Sequence, residues 1–560
     1  MTVNMAYSEG ITASAAALGA IAAAAVYLTA KIIYRLYLHP LSRFPGPRLA
    51  AATYLYGAYY DVVQEAQFVF KLDALHDTYG PVVRISPGEV HVRDSAFFDT
   101  LHPGPGGRKT HRDKWHRANR ANGAPGSLAS AGPHALHRAR RAAVNPYFSR
   151  AAIAQLEAES IRAKVELLCE RLREHASPSS AAAAAGAGGE GGGEVVDVVD
   201  VGAAMTALTL DVISEYCYGD CYDCLRDPAF APQWKRAMQG GFESTNVTKH
   251  FIWLLRLVNS LPAWLAVKMN PDIAVFVEWK ERLSAQAKAI YAEQHQQQQA
   301  GLEMGEKEEG EKKNLARPKT IFHGIMQADL PPAEKTADRL ADEAFVLLVA
   351  GAETTARTLC VILCHLLSSP SVLARLRAEL DPVMKQHQPQ LPPSRVLEEL
   401  LLLRAVVQEG TRLAEPVTNR QILVAPEEDL VVSVSGGGGG AGIVIPRGTP
   451  VSQTFRDVLL DPEIFPEPRL FDPDRFARAA AEGNRLDRYL VSFSRGGRSC
   501  AGLNLAYAEL YLTVAALVSR FDMELFNFNR ARDLDVVRDK FIGMPTKGAR
   551  AIQFRFRPRV

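Results

Sequence analysis

Cysteine is scarce in this chain, with seven in 560 residues: Cys169, Cys217, Cys221, Cys224, Cys360, Cys364 and Cys500. So low and odd a count argues against a disulfide framework and for a reducing compartment. Charge of one sign is lacking as well. Sixty-four basic residues against 62 acidic ones leave a formal net charge of +2, so composition gives no reason to expect nucleic acid as a partner. Uncharged runs of membrane length are missing but for one, residues 11–30, mostly Ala with Ile, Leu, Val and Tyr. At about 1.5 Å per residue it spans roughly 30 Å, one bilayer core. No Lys or Arg precedes it, so the positive start of a cleaved signal peptide is missing, whereas Lys31, Arg35 and Arg43 follow. The positive-inside rule then puts the body of the protein in the cytosol. An Ala-rich soluble helix is the alternative. Also absent is a glycine fingerprint set between a strand and a helix, so no dinucleotide or flavin domain is expected.

The reading divides the chain into an anchor (1–35), a proline-rich hinge (36–47) and one large domain (48–560). In the hinge, His39-Pro-Leu-Ser-Arg-Phe-Pro-Gly-Pro47 cannot be helical, because proline fixes φ and restricts the residue before it. Tyr79 to Val92 reads as two short strands about the turn Ser86-Pro-Gly88. Residues 102–133 read as a loop, and His134 to Arg141 as the basic start of a helix. Segments 177–194, 294–313 and 435–442 are low-complexity and carry too little apolar surface to offset ordering entropy, so they read as surface insertions. Cys217, Cys221 and Cys224 have the Cys-x3-Cys-x2-Cys spacing of an iron–sulfur site. Asp223 and the helical run before them favour three incidental thiols. Asn246-Val-Thr248 is a glycosylation sequon that a cytosolic body would not expose.

Three stretches carry chemistry. Thr336 to Leu367 reads as a long helix with only nine uninterrupted apolar residues, too few to span a membrane. Inside it Ala350-Gly-Ala-Glu-Thr-Thr355 puts Glu353 and Thr354 in apolar surroundings, where unpartnered polar groups cost several kcal/mol. Gly351 would let a ligand approach the helix backbone. Leu400 to Leu413 reads as another helix, with Glu409 and Arg412 on one face. Phe493-Ser-Arg-Gly-Gly-Arg-Ser-Cys-Ala-Gly502 reads as a tight turn, with positive φ allowed at Gly496 and Gly497. It delivers Cys500 to the start of the apolar helix Ala501 to Val518, a position that lowers a thiol's pKa. Such a thiol can be nucleophile, soft-metal ligand or inert core.

Phe-x-x-Gly-x-Arg-x-Cys-x-Gly resembles the haem-binding signature of the cytochrome P-450 family. The other stretches resemble that family in order: proline hinge, acid–alcohol helix, Glu-x-x-Arg, then Pro473-Asp-Arg-Phe476 where relatives have Pro-Glu-Arg-Phe. The likeness covers roughly residues 30 to 560 and looks fungal and microsomal, nearest the trichodiene oxygenase group. It implies a mainly α fold with a small β-region, a long central helix over a haem, and one N-terminal transmembrane helix. It also implies Cys500 as axial ligand of haem b iron, Glu353 and Thr354 as proton donors, and Arg498, Arg141 and His137 beside the haem propionates. Phe493 and Gly502 would shape the loop against the macrocycle, and Glu409, Arg412 and Arg475 would form a buried structural triad. Two departures stand out: His137 replaces an aromatic residue, and Leu459 a propionate-binding histidine. The implied activity is a membrane-anchored monooxygenase in the endoplasmic reticulum, body cytosolic. NADPH–cytochrome P-450 reductase would supply its electrons, with cytochrome b5 as an optional second donor. Its substrate would be an apolar small molecule, a terpenoid or other secondary metabolite, held by residues near 416–421, 541–546 and Phe345 to Gly351. The alternatives are a haem-thiolate isomerase or dehydratase and a noncatalytic haem sensor.

Overall fold

A computed structural model describes residues 2–104, 111–117, 123–176, 198–260, 272–304, 320–433 and 442–559, and only positions 262, 265 and 268 between 261 and 271. The insertions at 177–194 and 305–313, and the glycine run Gly436 to Gly440, lie outside the described residues. Residues 294–304 are helical. They continue the helix Asp272–Met304, because Gln, Glu, Ala, Leu and Met are good helix formers whatever their complexity.

The helices that build the site are α1 (Thr2–Ile33), α2 (His134–Val144), α3 (Val201–Tyr218), α4 (Pro232–His250), α5 (Asp272–Met304), α6 (Ala337–Leu367), α7 (Leu401–Leu413) and α8 (Leu503–Arg520). Thr336 starts α6 by accepting the Arg339 backbone N–H, and Asp338 in the first turn suits the positive end of the helix dipole. Its middle is enclosed by α3, α5, α7 and α8, so this apolar helix is core. Where α6 meets α7 the backbones come close, since a Cβ on Gly410 would lie 2.1 Å from Ile362 Cγ1. Most of α8 is buried on every face, the pattern of a central helix.

Five strands form the main sheet: β1 (Val82–Ser86), β2 (Glu89–Val92), β3 (Asp113–Lys114), β4 (Gln421–Val424) and β5 (Pro450–Gln453), in the order β1-β2-β5-β4-β3. β2 and β5 run parallel and the other pairs antiparallel. Ile443–Ile445 pairs with Leu430–Val432 as a separate hairpin, and Gly448 at φ +76° turns the chain back before β5. The segment 540–547 is itself half of a hairpin, Arg538–Lys540 against Ile542–Met544.

The apolar window Ala16–Leu38, 23 residues of α1 and the turn after it, has none of its residues buried. The hinge lies flat on β1. The Arg84 backbone N–H donates to Pro45 O at 2.7 Å, and its guanidinium reaches Arg35 O at 2.8 Å. A Cβ on Gly46 would come within 2.3 Å of Arg84 O, so glycine is required there. These contacts tie the foot of the apolar helix to the sheet.

Candidate active site

Cys500 is set by a loop closed on itself. Its N–H donates to Phe493 O at 2.8 Å, and the left-handed turns fall at Ser494 (φ +58°) and Gly496 (φ +67°), not at Gly497. At Gly496 a Cβ would stand 2.2 Å from Pro103 O, so the approach of the 102–103 turn demands glycine as much as φ does. Arg141 on α2 grips the loop from outside, donating to Ser499 O at 2.6 Å and Cys500 O at 3.4 Å. The α8 helix begins at Leu503, two residues later than expected. Cys500 is accessible, but to an internal cavity. Burial raises its thiol pKa, outweighing the Gly502 N–H and Arg141 that pull it down. The lowered value expected from the helix start is therefore corrected: desolvation wins in the chain by itself.

The cavity at Cys500 is partly open, taking in about 1130 Å³ with the solvent at its mouth included. Its apolar wall includes Leu128, Phe148, Ile213, Val346, Leu347 and Leu505. One flank is basic, where Lys114, His137, Arg141 and Arg498 come together. Arg498 donates to the carbonyls of Arg112, Ala131 and Gly132 at 3.0, 2.9 and 2.7 Å, which engages three of its five N–H groups. Burial pushes its pKa down to about 10, still charged at neutral pH. His137 is driven down to about 3 by burial and by Arg498 and Lys114, so it is a neutral imidazole. Lys114 is half-buried, desolvation lowers its pKa to about 8, and its ammonium donates to Ala129 O at 2.9 Å. Among the described residues no carboxylate pairs with it.

Of the acid–alcohol pair, only Thr354 lines the cavity, its hydroxyl donating to Ala350 O at 2.8 Å. Glu353 points away from the cavity, toward Lys235 and Gln239 on α4, because adjacent helical residues diverge by about 100°. Burial lifts its carboxyl to about 7. Gly351 lines the cavity too, and a Cβ there would lie 3.0 Å from Ile213 Cγ1, so close packing of α6 on α3 also favours glycine. A Cβ on Gly502 would meet nothing within 4 Å. Phe493 lines the cavity and packs against Tyr507 at 5.1 Å between ring centres.

Glu409, Arg412 and Arg475 meet away from the cavity lining, all three buried. Glu409 accepts from Arg412 Nη2 and Nε at 2.8 and 2.9 Å and from Arg475 Nε at 3.0 Å. Leu459 is buried among Phe98, Phe455, Val458 and Val491 and does not line the cavity. The imidazole that does come from elsewhere is His102, stacked on Phe98 at 4.4 Å and driven to a pKa of about 3 by burial.

Sequence reasoning missed Lys114, His102, Glu343 and Glu509. Glu509 lines the cavity from α8, bonded to Thr355, with burial holding it well above the carboxylate range. An acid inside an apolar helix nine residues after Cys500 was a usable signal. Lys114 and His102 lie in short elements whose periodicity says nothing of direction. From the expected substrate segments, Gln421, Val346, Leu347, Ala350 and Gly351 line the cavity, and residues 541–546 do not.

These residues fit a haem: one thiol at the floor, a basic flank for two carboxylates, and apolar walls. The Cytochrome P450 family model matches residues 47–550. A cytochrome P450 monooxygenase of Ascocoryne sarcoides is 36% identical over 534 residues, covering 95% of this chain and 97% of that protein. Tryptophan 6-hydroxylase of Fusarium equiseti is 34% identical over 521 residues, 93% of each chain. The crystal structure of the cytochrome P450DA haem domain superposes with a TM-score of 0.63 at 17% identity, covering 92% of this chain and 98% of that one, which establishes the fold alone. With a family match across nearly the whole body and full-length relatives above 30% identity, the chain belongs to the cytochrome P450 family.

Proposed function

We propose that the protein is a membrane-anchored haem-thiolate monooxygenase that inserts one atom of dioxygen into a largely apolar small molecule of fungal secondary metabolism. The observation that carries this reading is the cavity itself, with a single thiol at its floor, a cationic flank, and the Thr354 hydroxyl on the wall supplied by α6. Cys500 would hold the iron of haem b, and Lys114, Arg498, Arg141 and neutral His137 would receive its carboxylates. A bound haem supplies the dioxygen activation, drawing electrons from NADPH through a separate reductase, with cytochrome b5 as an optional donor. The chain contributes binding, exclusion of water and protons. Glu353, titrating at about 7, holds a proton near neutrality on the outer face of α6, and Thr354 presents its hydroxyl on the inner face. A carboxyl with that pKa is suited to feed protons inward at neutral pH.

The apolar Ala16–Leu38 window followed by Arg43 and Arg48 supports a single span in the endoplasmic reticulum with the body in the cytosol. The test is a reduced carbon monoxide spectrum followed by turnover under labelled dioxygen with reductase and NADPH. A thiolate-type Soret band in the wild type, lost in Cys500→Ala, and one labelled oxygen in product are expected. Unlabelled product would leave an isomerase or dehydratase. NADPH consumption that no ligand stimulates would leave a sensor.

A further inference from the structure

Residues 123–132, between β3 and α2, have no regular structure, yet through Leu128 and Ala129 they form part of the cavity wall. Charged side chains hold them there. Two acids of α6 take N–H groups: Asp342 accepts from Gly126 at 2.7 Å and Glu343 from Leu128 at 3.0 Å. Cations take the carbonyls. Arg140 donates to Ser127 O and Lys114 to Ala129 O, both at 2.9 Å. Arg498 donates to Ala131 O at 2.9 Å and Gly132 O at 2.7 Å. The segment is a strap held by opposite charges on its two kinds of backbone group.

Two of those cations belong to the cavity as well. Lys114 and Arg498 both line it and both are half-buried. With Arg112 O included, Arg498 gives three of its five N–H groups to carbonyls. Lys114 gives one of three to Ala129 O. Their remaining donors are left for an anion in the cavity, and a carboxylate binds such donors more strongly than a carbonyl does. The strap carbonyls also fix two long side chains in one rotamer, an entropy cost that the anion then need not meet again. Whatever orders the strap therefore favours the anion. Such coupling is reciprocal, so the anion must order the strap by the same factor.

We propose that residues 123–132 are a haem-responsive strap: the haem carboxylates, bound by Arg498 and Lys114, set its position and with it the wall at Leu128 and Ala129. The proposal rests on the haem-thiolate reading for the identity of the anion. Asp342 supplies the means of separating the two, because it holds the strap without lining the cavity. It can act on the haem only through the strap.

The test loads the full-length chain with haem or with haem dimethyl ester, which keeps the iron and the macrocycle but lacks the carboxylates. By hydrogen exchange and mass spectrometry, residues 124–132 should exchange severalfold more slowly with haem than with the ester, while α8 exchanges alike in both. Asp342→Ala frees the Gly126 N–H, so haem transfer to apomyoglobin should quicken severalfold and ester transfer stay unchanged. Equal exchange with the two porphyrins would overturn the proposal, as would haem loss unaltered in the variant. An equal acceleration of haem and ester loss would overturn it too, because that marks plain destabilisation. Should the chain not retain the ester, Lys114→Met decides: the slowing of strap exchange on haem binding must shrink in that variant, and an undiminished slowing refutes the coupling. Retention of neither porphyrin sinks the haem reading and this proposal together, whereas retention of both with equal exchange sinks this one alone.

Discussion

Glu409→Gln tests whether charge holds the buried triad together. Among the described residues Glu409 is the one acid against two guanidinium groups, and it also accepts the Asp472 N–H at 3.1 Å. The arginines in turn donate to the carbonyls of Leu459, Pro466, Glu467, Pro468 and Leu470. Removing the carboxylate charge leaves two buried cations facing only backbone dipoles, a loss of about 3–5 kcal/mol. With an unfolding entropy of about 2.1 cal/mol/K per residue over roughly 500 residues, about 1 kcal/mol/K, the midpoint falls by about 3–5 °C. Scanning calorimetry reads that shift. A drop below about 1 °C would refute the electrostatic account. The apolar replacement Glu409→Leu, Arg412→Met, Arg475→Met separates two cases. A simple buried ion pair is often replaced without loss. Here five carbonyls would lose their donors, so the triple variant is expected to remain destabilised, and recovery to the wild-type midpoint would show that the carbonyl bonds count for nothing.

The raised Glu353 carboxyl makes stability depend on pH. The native state keeps its proton up to about 7, against 4.5 in the unfolded chain, so this stabilisation is complete below pH 4.5 and is lost as pH rises through 7. Relative to Glu353→Gln, the wild type should lose about 3 kcal/mol over that window; denaturant titrations at pH 4.5 and 8 that give the same difference would contradict it. Gly410→Ala drives a Cβ to 2.1 Å from Ile362 Cγ1 and should destabilise by about 1–3 kcal/mol, partly recovered with Ile362→Ala in the same chain, by thermal unfolding. Gly496→Ala cannot keep φ +67° with Pro103 O at 2.2 Å; haem incorporation, read from the Soret absorbance per chain, should fall severalfold while the Glu409 network is untouched. In the haem-free chain the raised Cys500 thiol should be alkylated slowly by iodoacetamide at pH 7, faster as pH climbs past the ordinary thiol range. A fast rate at pH 7 would restore the helix-start argument.

What could be read in advance divides by the range of the interaction. The cysteine loop and the glutamate–arginine pair are legible because their geometry is local. Gly496, Cys500 and the start of α8 lie within ten residues, and Glu409 and Arg412 share a helix face. Arg475 is legible only through the resemblance, since 63 residues separate it from Arg412 and nothing local points it inward. For the same reason Lys114 escapes notice. It sits in a two-residue strand, and only the pairing of β3 with β4 carries it to the cavity rim. Chemistry alone would not have chosen it, because any lysine in a loop is expected to face water.

The acid–alcohol pair shows the opposite limit, since adjacency in sequence says nothing of direction. Adjacency in sequence suggested a shared site, but a helix sends neighbours about 100° apart, so Thr354 faces the cavity and Glu353 faces Lys235. The residues that share the Thr354 face are those three, four, seven and eleven positions earlier: Gly351, Ala350, Leu347 and Glu343, all cavity-lining. Helical periodicity was therefore enough to nominate Glu343, had it been applied to the cavity face instead of to the motif. Burial lifts the Glu353 carboxyl to about 7, with Lys235 and Arg357 pulling it down, whereas Glu343 is tied to Arg339 and to the Leu128 N–H. Two glutamates of one helix thus sit in different environments, because different elements pack against the faces that carry them.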